Sequence, residues 1–144
     1  VQALRNGICN FILLTGTDDI YLSDEGRVAR AYNCLTVFEG DYSTARPHAK
    51  AMLVPFGEYI PMRETFPFLE KAFEASAGTA MGLNYTPGCS SSPVPVPIRP
   101  GSSVTVGVIP LVCFEDVVGS WVRRFIRQEP QLMVNVTNEP FLRQ

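Results

Sequence analysis

The sequence predicts an α/β layered domain, and three observations carry that reading. Short apolar runs with strand character recur at Phe11–Thr15, Ala31–Phe38, Val104–Val112 and Gln131–Thr137. Stretches with helical spacing fall between them, at Arg63–Ala77 and Asp116–Gln128. The last section reads strand, helix, strand, which favours at least one right-handed parallel crossover. No internal repeat is visible.

Taken in order, Val1–Asn6 reads as the end of a helix leading into the strand-like Ile8–Leu14. Phe11-Ile12-Leu13-Leu14-Thr15 is a buried strand bounded by Gly16. Asp18–Gly26 is polar and turn-rich, as in a hairpin loop. Ala31–Phe38 carries Tyr, Val and Thr and forms a second strand. Gly40–Pro47 reads as a loop, and Ala49–Val54 as an apolar strand. It leads into Pro55-Phe56-Gly57-Glu58-Tyr59-Ile60-Pro61, where two prolines and a glycine exclude regular structure.

Arg63–Ala77 is helical, with Phe66, Leu69 and Phe73 spaced by three and four and Gly78 as the stop. Pro67 is compatible only with its first turn. Gly82–Pro100 is rich in Pro, Ser and Gly. Any strand through Val94 and Val96 must be an edge strand, because Pro95 and Pro97 cannot donate to a ladder. Val104–Val112 is the clearest strand. In Asp116–Gln128, Val117, Val118, Trp121, Val122 and Phe125 form one apolar stripe. Arg123, Arg124 and Arg127 lie off that stripe, in the last turns, where they complement the helix dipole. Gln131–Thr137 closes the pattern, with Leu132, Val134 and Val136 on one face.

Composition narrows the functional classes. The 144 residues are 46% hydrophobic and 18% charged, with a formal net charge of −2. That suits one globular domain and lacks the basic excess of a nucleic-acid binder. No apolar run reaches the roughly 18–20 residues needed to span a bilayer, and no signal-peptide pattern is present. Cys9, Cys34, Cys89 and Cys113 form no CxxC pair and no cluster with zinc spacing, so no metal or cofactor is expected. Two or three of them read as small buried hydrophobes. The chain starts and stops in mid-pattern and is expected to be a fragment, residues 1–144 of a larger domain.

Cys113 is the leading candidate for chemistry. It follows a buried strand and stands at the start of the amphipathic stretch. A thiol there would feel the positive end of a helix, which favours the nucleophilic thiolate, and backbone N–H groups could stabilise an oxyanion. Position alone also fits an inert buried cysteine, which is the commoner case. Glu115 and Asp116 either cap the helix or orient the nucleophile turn. Lys50, in its apolar surroundings, either pairs with a carboxylate such as Glu58 or is a solvated edge lysine. His48, the single histidine, is either a base for Cys113 or a surface-loop residue beside Pro47. Thr86-Pro87-Gly88 reads as a turn and Asn135–Asn138 as polar residues closing a strand.

These segments together resemble the nitrilase superfamily, most of all its apolipoprotein N-acyltransferase branch. Tyr32-Asn33 resembles a family strand. Lys50 with Leu53-Val54-Pro55-Phe56-Gly57-Glu58-Tyr59-Ile60-Pro61 resembles the family's K-x-x-LVPFGEY-x-P. Thr86-Pro87-Gly88 matches its TPG turn, Gly107–Glu115 its cysteine elbow, and Val134–Asn138 its VN-x-TN. The match runs over about residues 8–138 in family order, and the Lys50–Pro61 segment is its most specific piece.

The resemblance implies an αββα sandwich, here a fragment of one, and a Glu–Lys–Cys catalytic set without cofactor or metal. Cys113 would carry a fatty acyl chain from a phospholipid as a thioester and deliver it to the amine of a diacylglyceryl-cysteine lipoprotein. Lys50 would stabilise the oxyanion and Glu58 would hold Lys50. The Phe114 N–H would be a second oxyanion donor, and Glu115 would support the elbow. The same resemblance implies a bacterial inner-membrane enzyme, its catalytic domain periplasmic and its membrane helices outside this chain.

The family's general-base glutamate lies upstream of the stretch matched by Ile8–Leu14. No such residue is in the chain, and Glu25 stands in the wrong place. The end also departs from the family, with Glu139-Pro140-Phe141 after Asn138. The chain is therefore expected to be catalytically incomplete, and missing outer strands predict marginal solubility. Two alternatives remain: a soluble nitrilase-like amidase, and a non-enzymatic truncated copy.

Overall fold

The computed structural model describes residues 11–39, 41–62, 65–66, 68–69, 71–72 and 84–137. The strand order gives two three-stranded sheets among these residues. In the first, β1 (Ile12–Leu22), β2 (Val28–Glu39) and β3 (Asp41–Ala49) form an antiparallel meander in the order β1-β2-β3. In the second, β4 (Val94–Pro97) pairs antiparallel with β5 (Thr105–Val112), which pairs parallel with β6 (Gln131–Val136). The parallel pair is the expected strand–helix–strand unit.

Strand β5 explains the layering. Val108 and Val112 point to one side, into a core with Leu35 and Val37 of β2 and Val96 of β4. Ile109 and Leu111 point to the other, against Trp121, Val122 and Phe125. From Val108 to Val112 both faces are buried, beyond the alternation of Val104, Val106 and Val108 with Thr105, Gly107 and Ile109 visible in the sequence. The result is sheet on sheet, with a helical segment on the outer face of the second sheet.

Several local expectations change. The run at Phe11–Thr15 does not stop at Gly16; β1 continues to Leu22, and Asp18 and Asp19 pair with Asn33 and Tyr32. The turn itself is only Ser23–Arg27, closed by Ser23 N–H to the Arg27 carbonyl at 2.7 Å and Gly26 N–H to the Ser23 carbonyl at 2.9 Å. Gly26 has φ 73°, a left-handed conformation that glycine adopts without a Cβ penalty. Polar residues misled the reading because this end of the hairpin is solvent-exposed on both faces.

The predicted loop Gly40–Pro47 is largely β3, an edge strand that tolerates Pro47 opposite Thr36. The expected edge strand at Val94 and Val96 is found at the edge. Lys50 lies just past β3 rather than within a strand.

The stretch Asp116–Gln128 is not one amphipathic helix. A 3-10 turn over Cys113–Val117 is followed by α1 (Gly119–Val122) and a second 3-10 turn over Arg123–Phe125. Val118, at φ −89° and ψ 76°, interrupts the helical path. Trp121, Val122 and Phe125 are buried as the stripe predicts, whereas Val117 is 63% exposed. Arg127 does satisfy free carbonyls, donating to Arg124 O at 2.8 Å and Ile126 O at 3.0 Å.

Of the predicted helix Arg63–Ala77, the described residues Phe68, Leu69, Lys71 and Ala72 are helical. Its remaining features at Arg63, Pro67, Phe73 and Gly78 lie outside the described residues, as do Val1–Asn6, Cys9 and Asn138–Phe141. The described residues thus form a sheet-rich α/β unit with little helix. No helix among them is long and apolar enough to cross a membrane.

Candidate active site

The site is built where the end of β3, the Pro55–Pro61 loop and the end of β5 converge. Lys50 is 1% exposed and Glu58 7%. A lone charge in such surroundings would be costly, and each compensates the other. Lys50 Nζ donates to Glu58 Oε2 at 2.7 Å. The same oxygen accepts the Val54 N–H at 2.9 Å, while Oε1 accepts from Asn33 Nδ2 at 2.8 Å. The solvated-lysine alternative is thereby excluded.

The loop's irregularity serves this pair. Gly57 N–H and Glu58 N–H both reach the Val54 carbonyl, at 3.2 and 2.9 Å, folding Glu58 back over the lysine. Phe56 at φ 60° and Met62 at φ 57° hold left-handed conformations that are unfavourable for residues with a Cβ. The backbone around Lys50 is fixed as well: its N–H donates to the Asn33 carbonyl and its own carbonyl accepts the Gly88 N–H, both at 2.8 Å. A Cβ at Gly88 would overlap the Ala49 carbonyl, so the Thr86-Pro87-Gly88 turn needs glycine for close approach.

The elbow is anchored by a different carboxylate. Glu115 is fully buried and accepts three backbone N–H groups. Oε2 takes Val112 N–H at 3.0 Å; Oε1 takes Ala51 N–H at 2.9 Å and Met52 N–H at 3.0 Å. Through the Val112 N–H it closes the first turn after β5. It also ties Val112, beside Cys113, to Ala51, beside Lys50. Cys113 has φ 53°, the strained conformation of a sharp strand-to-helix turn. Asn135 Nδ2 steadies that turn from β6, donating to Cys113 O at 3.0 Å and to Asp116 Oδ2 at 2.8 Å. The helix-dipole argument for Cys113 does not survive, because only short 3-10 and α turns follow it.

Other candidates separate from this cluster. His48 is buried, not on a surface loop; its ring stands edge-on to Phe125 at 5.8 Å, and burial lowers its pKa to about 4. Its Nε2 has no hydrogen-bond partner among the described residues. Cys34 is buried, and burial pushes its thiol up to about 12, as for an inert structural cysteine. Cys89 is exposed rather than a core hydrophobe. The Phe114 side chain is 56% exposed, which leaves its backbone as the part nearest the elbow.

Sequence reasoning quoted Asn33 and Asn135 within matching motifs but gave neither a role in the site, and it missed Tyr85. Asn33 sits mid-strand, where polar residues are ordinarily solvent-facing, and its partner is 25 residues away. Tyr85 N–H donates to the Glu58 carbonyl at 2.8 Å, and its hydroxyl to Asp18 Oδ1 at 2.9 Å. Both contacts are long-range and leave no local signal.

A buried lysine–glutamate pair is thus tied, through Glu115, to a strained cysteine turn. No family model matches the chain. Curated relatives do: an apolipoprotein N-acyltransferase of Geobacter metallireducens is 33% identical over 62% of this chain and 15% of its own length. One of Bradyrhizobium diazoefficiens is 30% identical over 78% of this chain and 19% of its own. Apolipoprotein N-acyltransferase 1 of Treponema pallidum is 31% identical over 91% of this chain and 23% of its own. The chain spans about a fifth of the length of the curated relatives it matches. It is an apolipoprotein N-acyltransferase-like domain, and the nitrilase superfamily name follows from that likeness.

Proposed function

We propose that residues 1–144 form the central part of a nitrilase-like αββα catalytic domain that carries out lipoprotein N-acylation. The observation that carries this is the Glu115 carboxylate, which joins the Lys50 segment to the Cys113 elbow. In the first step the Cys113 sulfur attacks the ester carbonyl of a phospholipid. A C–S bond forms, the ester C–O bond breaks, and the lysophospholipid alkoxide leaves with the thiol's proton. In the second, the N-terminal amine of a diacylglyceryl-cysteine lipoprotein attacks the thioester. The amide forms, the C–S bond breaks, and the amine's proton returns to the thiol.

Each residue has a part in that chemistry. Lys50 is a fixed positive charge for the tetrahedral oxyanion, and in a water-poor site such a charge acts strongly. Glu58 holds the ammonium in place. The Phe114 N–H is the second oxyanion donor, and Glu115 keeps the elbow in register. The base that moves the proton is a glutamate upstream of the stretch matched by Ile8–Leu14, supplied by the rest of the protein. Membrane helices elsewhere in that protein would hold the domain on the periplasmic side of a bacterial inner membrane, beside donor and acceptor. The relatives named above are N-acyltransferases, so a soluble amidase is not favoured.

The test is intact-mass detection of an acyl adduct in the full-length protein incubated with phospholipid. The adduct is expected on wild type, released by hydroxylamine, and absent from Cys113→Ala. An unchanged acylation rate in Cys113→Ala would sink the proposal.

A further inference from the structure

Asn33 touches both members of the Lys50–Glu58 pair by different atoms. Its main-chain carbonyl accepts the Lys50 N–H at 2.8 Å, and its side-chain Nδ2 donates to Glu58 Oε1 at 2.8 Å. It is 3% exposed, in the middle of β2. Its Oδ1 is buried without a hydrogen-bond partner among the described residues. An amide that leaves one polar atom unpaired in the interior carries a desolvation cost that a valine would avoid. Its whole side-chain contribution goes into one hydrogen bond, to the glutamate.

That bond decides how Glu58 is oriented. A carboxylate can rotate and share its oxygens among donors. Here the amide occupies Oε1, so Oε2 is left for Lys50 Nζ and the Val54 N–H. The lysine is thereby held by one oxygen in one direction. We propose that Asn33 is a positioning residue for the acyl-transfer reaction: it fixes the Glu58 carboxylate so that the Lys50 ammonium faces the oxyanion. The proposal rests on the acyltransferase reading above. The titratable groups around Asn33 are Lys50, Glu58, Asp18, its register partner on β1, and Tyr85, which hydrogen-bonds Asp18.

The donor requirement makes the idea testable. An aspartate at this position matches asparagine in volume, but as a carboxylate it cannot donate to Glu58; protonated, it can. The experiment measures acylation kinetics of the full-length protein for wild type, Asn33→Ala, Asn33→Asp and Cys113→Ala between pH 5 and pH 8, with a thermal melt at each pH. Asn33→Ala is expected to lower kcat roughly 10–100-fold with KM within about threefold, the scale of a misplaced catalytic group. For Asn33→Asp, the ratio of its kcat to that of wild type is expected to rise as pH falls.

A ratio that stays flat while Cys113 remains essential would overturn the positioning role and leave the acyltransferase reading standing. Loss of the Cys113 requirement would overturn both. If Asn33→Ala does not fold, the near-isosteric Asn33→Asp decides alone.

Discussion

The Lys50–Pro61 loop and the Val112–Asp116 elbow each bury a glutamate, and they compensate it in opposite ways. Glu58 is matched by a cation, with one backbone N–H and one amide in support. Glu115 is matched by three backbone N–H groups, and no ion pair to it is found among the described residues. The first arrangement keeps an ammonium in the interior, the group that the proposed chemistry would use against charge developing on a substrate. The second contains no group that can react; it fixes geometry. Two buried carboxylates of one type thus divide the work between electrostatics and architecture.

Removing either carboxylate tests that division. Glu115→Ala leaves three backbone donors without their acceptor, one buried and two part-buried, and the expected destabilisation is on the order of 3 kcal/mol, read by urea unfolding. Loss of under about 1 kcal/mol would mean that the elbow is held by something else, Asn135 for example. At the loop, Lys50→Met leaves the Glu58 charge without its cation and is expected to cost about 3 kcal/mol. A Lys50→Met/Glu58→Leu double variant should recover most of that stability, because an apolar pair needs no compensation. Both should abolish acylation. Recovery of stability without activity is the signature of an ion pair kept for chemistry.

His48 sharpens the comparison, because its buried Nε2 has no hydrogen-bond partner among the described residues. The unfolded chain takes up a proton near pH 6.5, whereas the folded one resists it until about 4. Folding stability is therefore complete above that upper value and falls as pH drops through the window. The loss is at most about 3 kcal/mol. His48→Phe should flatten that acid slope, and an unchanged slope would assign it to other groups.

The smallest effect concerns the elbow's own strain. Cys113→Gly should raise stability by about 1 kcal/mol, since glycine adopts a positive φ without the Cβ clash. A melting temperature unchanged or lowered would show that Cys113 packs well enough in the first core to offset its backbone.

Much of this was legible in sequence, and the failures have a common cause. The strand at Val104–Val112 was readable because its first half alternates and its second half, buried on both faces, is uniformly apolar. The Lys50–Pro61 loop was readable because its prolines and glycine exclude regular alternatives. The boundary of β1 and the existence of β3 were not, because their solvent-exposed stretches carry the same polar residues as a loop. The helix after Cys113 looked continuous by spacing alone; the break at Val118 depends on how the elbow is anchored. Asn33, Tyr85 and Asn135 were unreadable as site residues because their partners are distant in sequence.

That distance has a consequence for how the site comes into being. The Lys50–Glu58 contact spans eight residues and closes locally. The Glu115–Ala51 contact spans 64, and it cannot close before β5 is in place. A growing chain therefore has both partners of its charged pair long before it has Glu115, which reaches Ala51. The Cys113 turn is tied to the Lys50 segment by a carboxylate that follows β5, so that tie needs strands of both sheets in place.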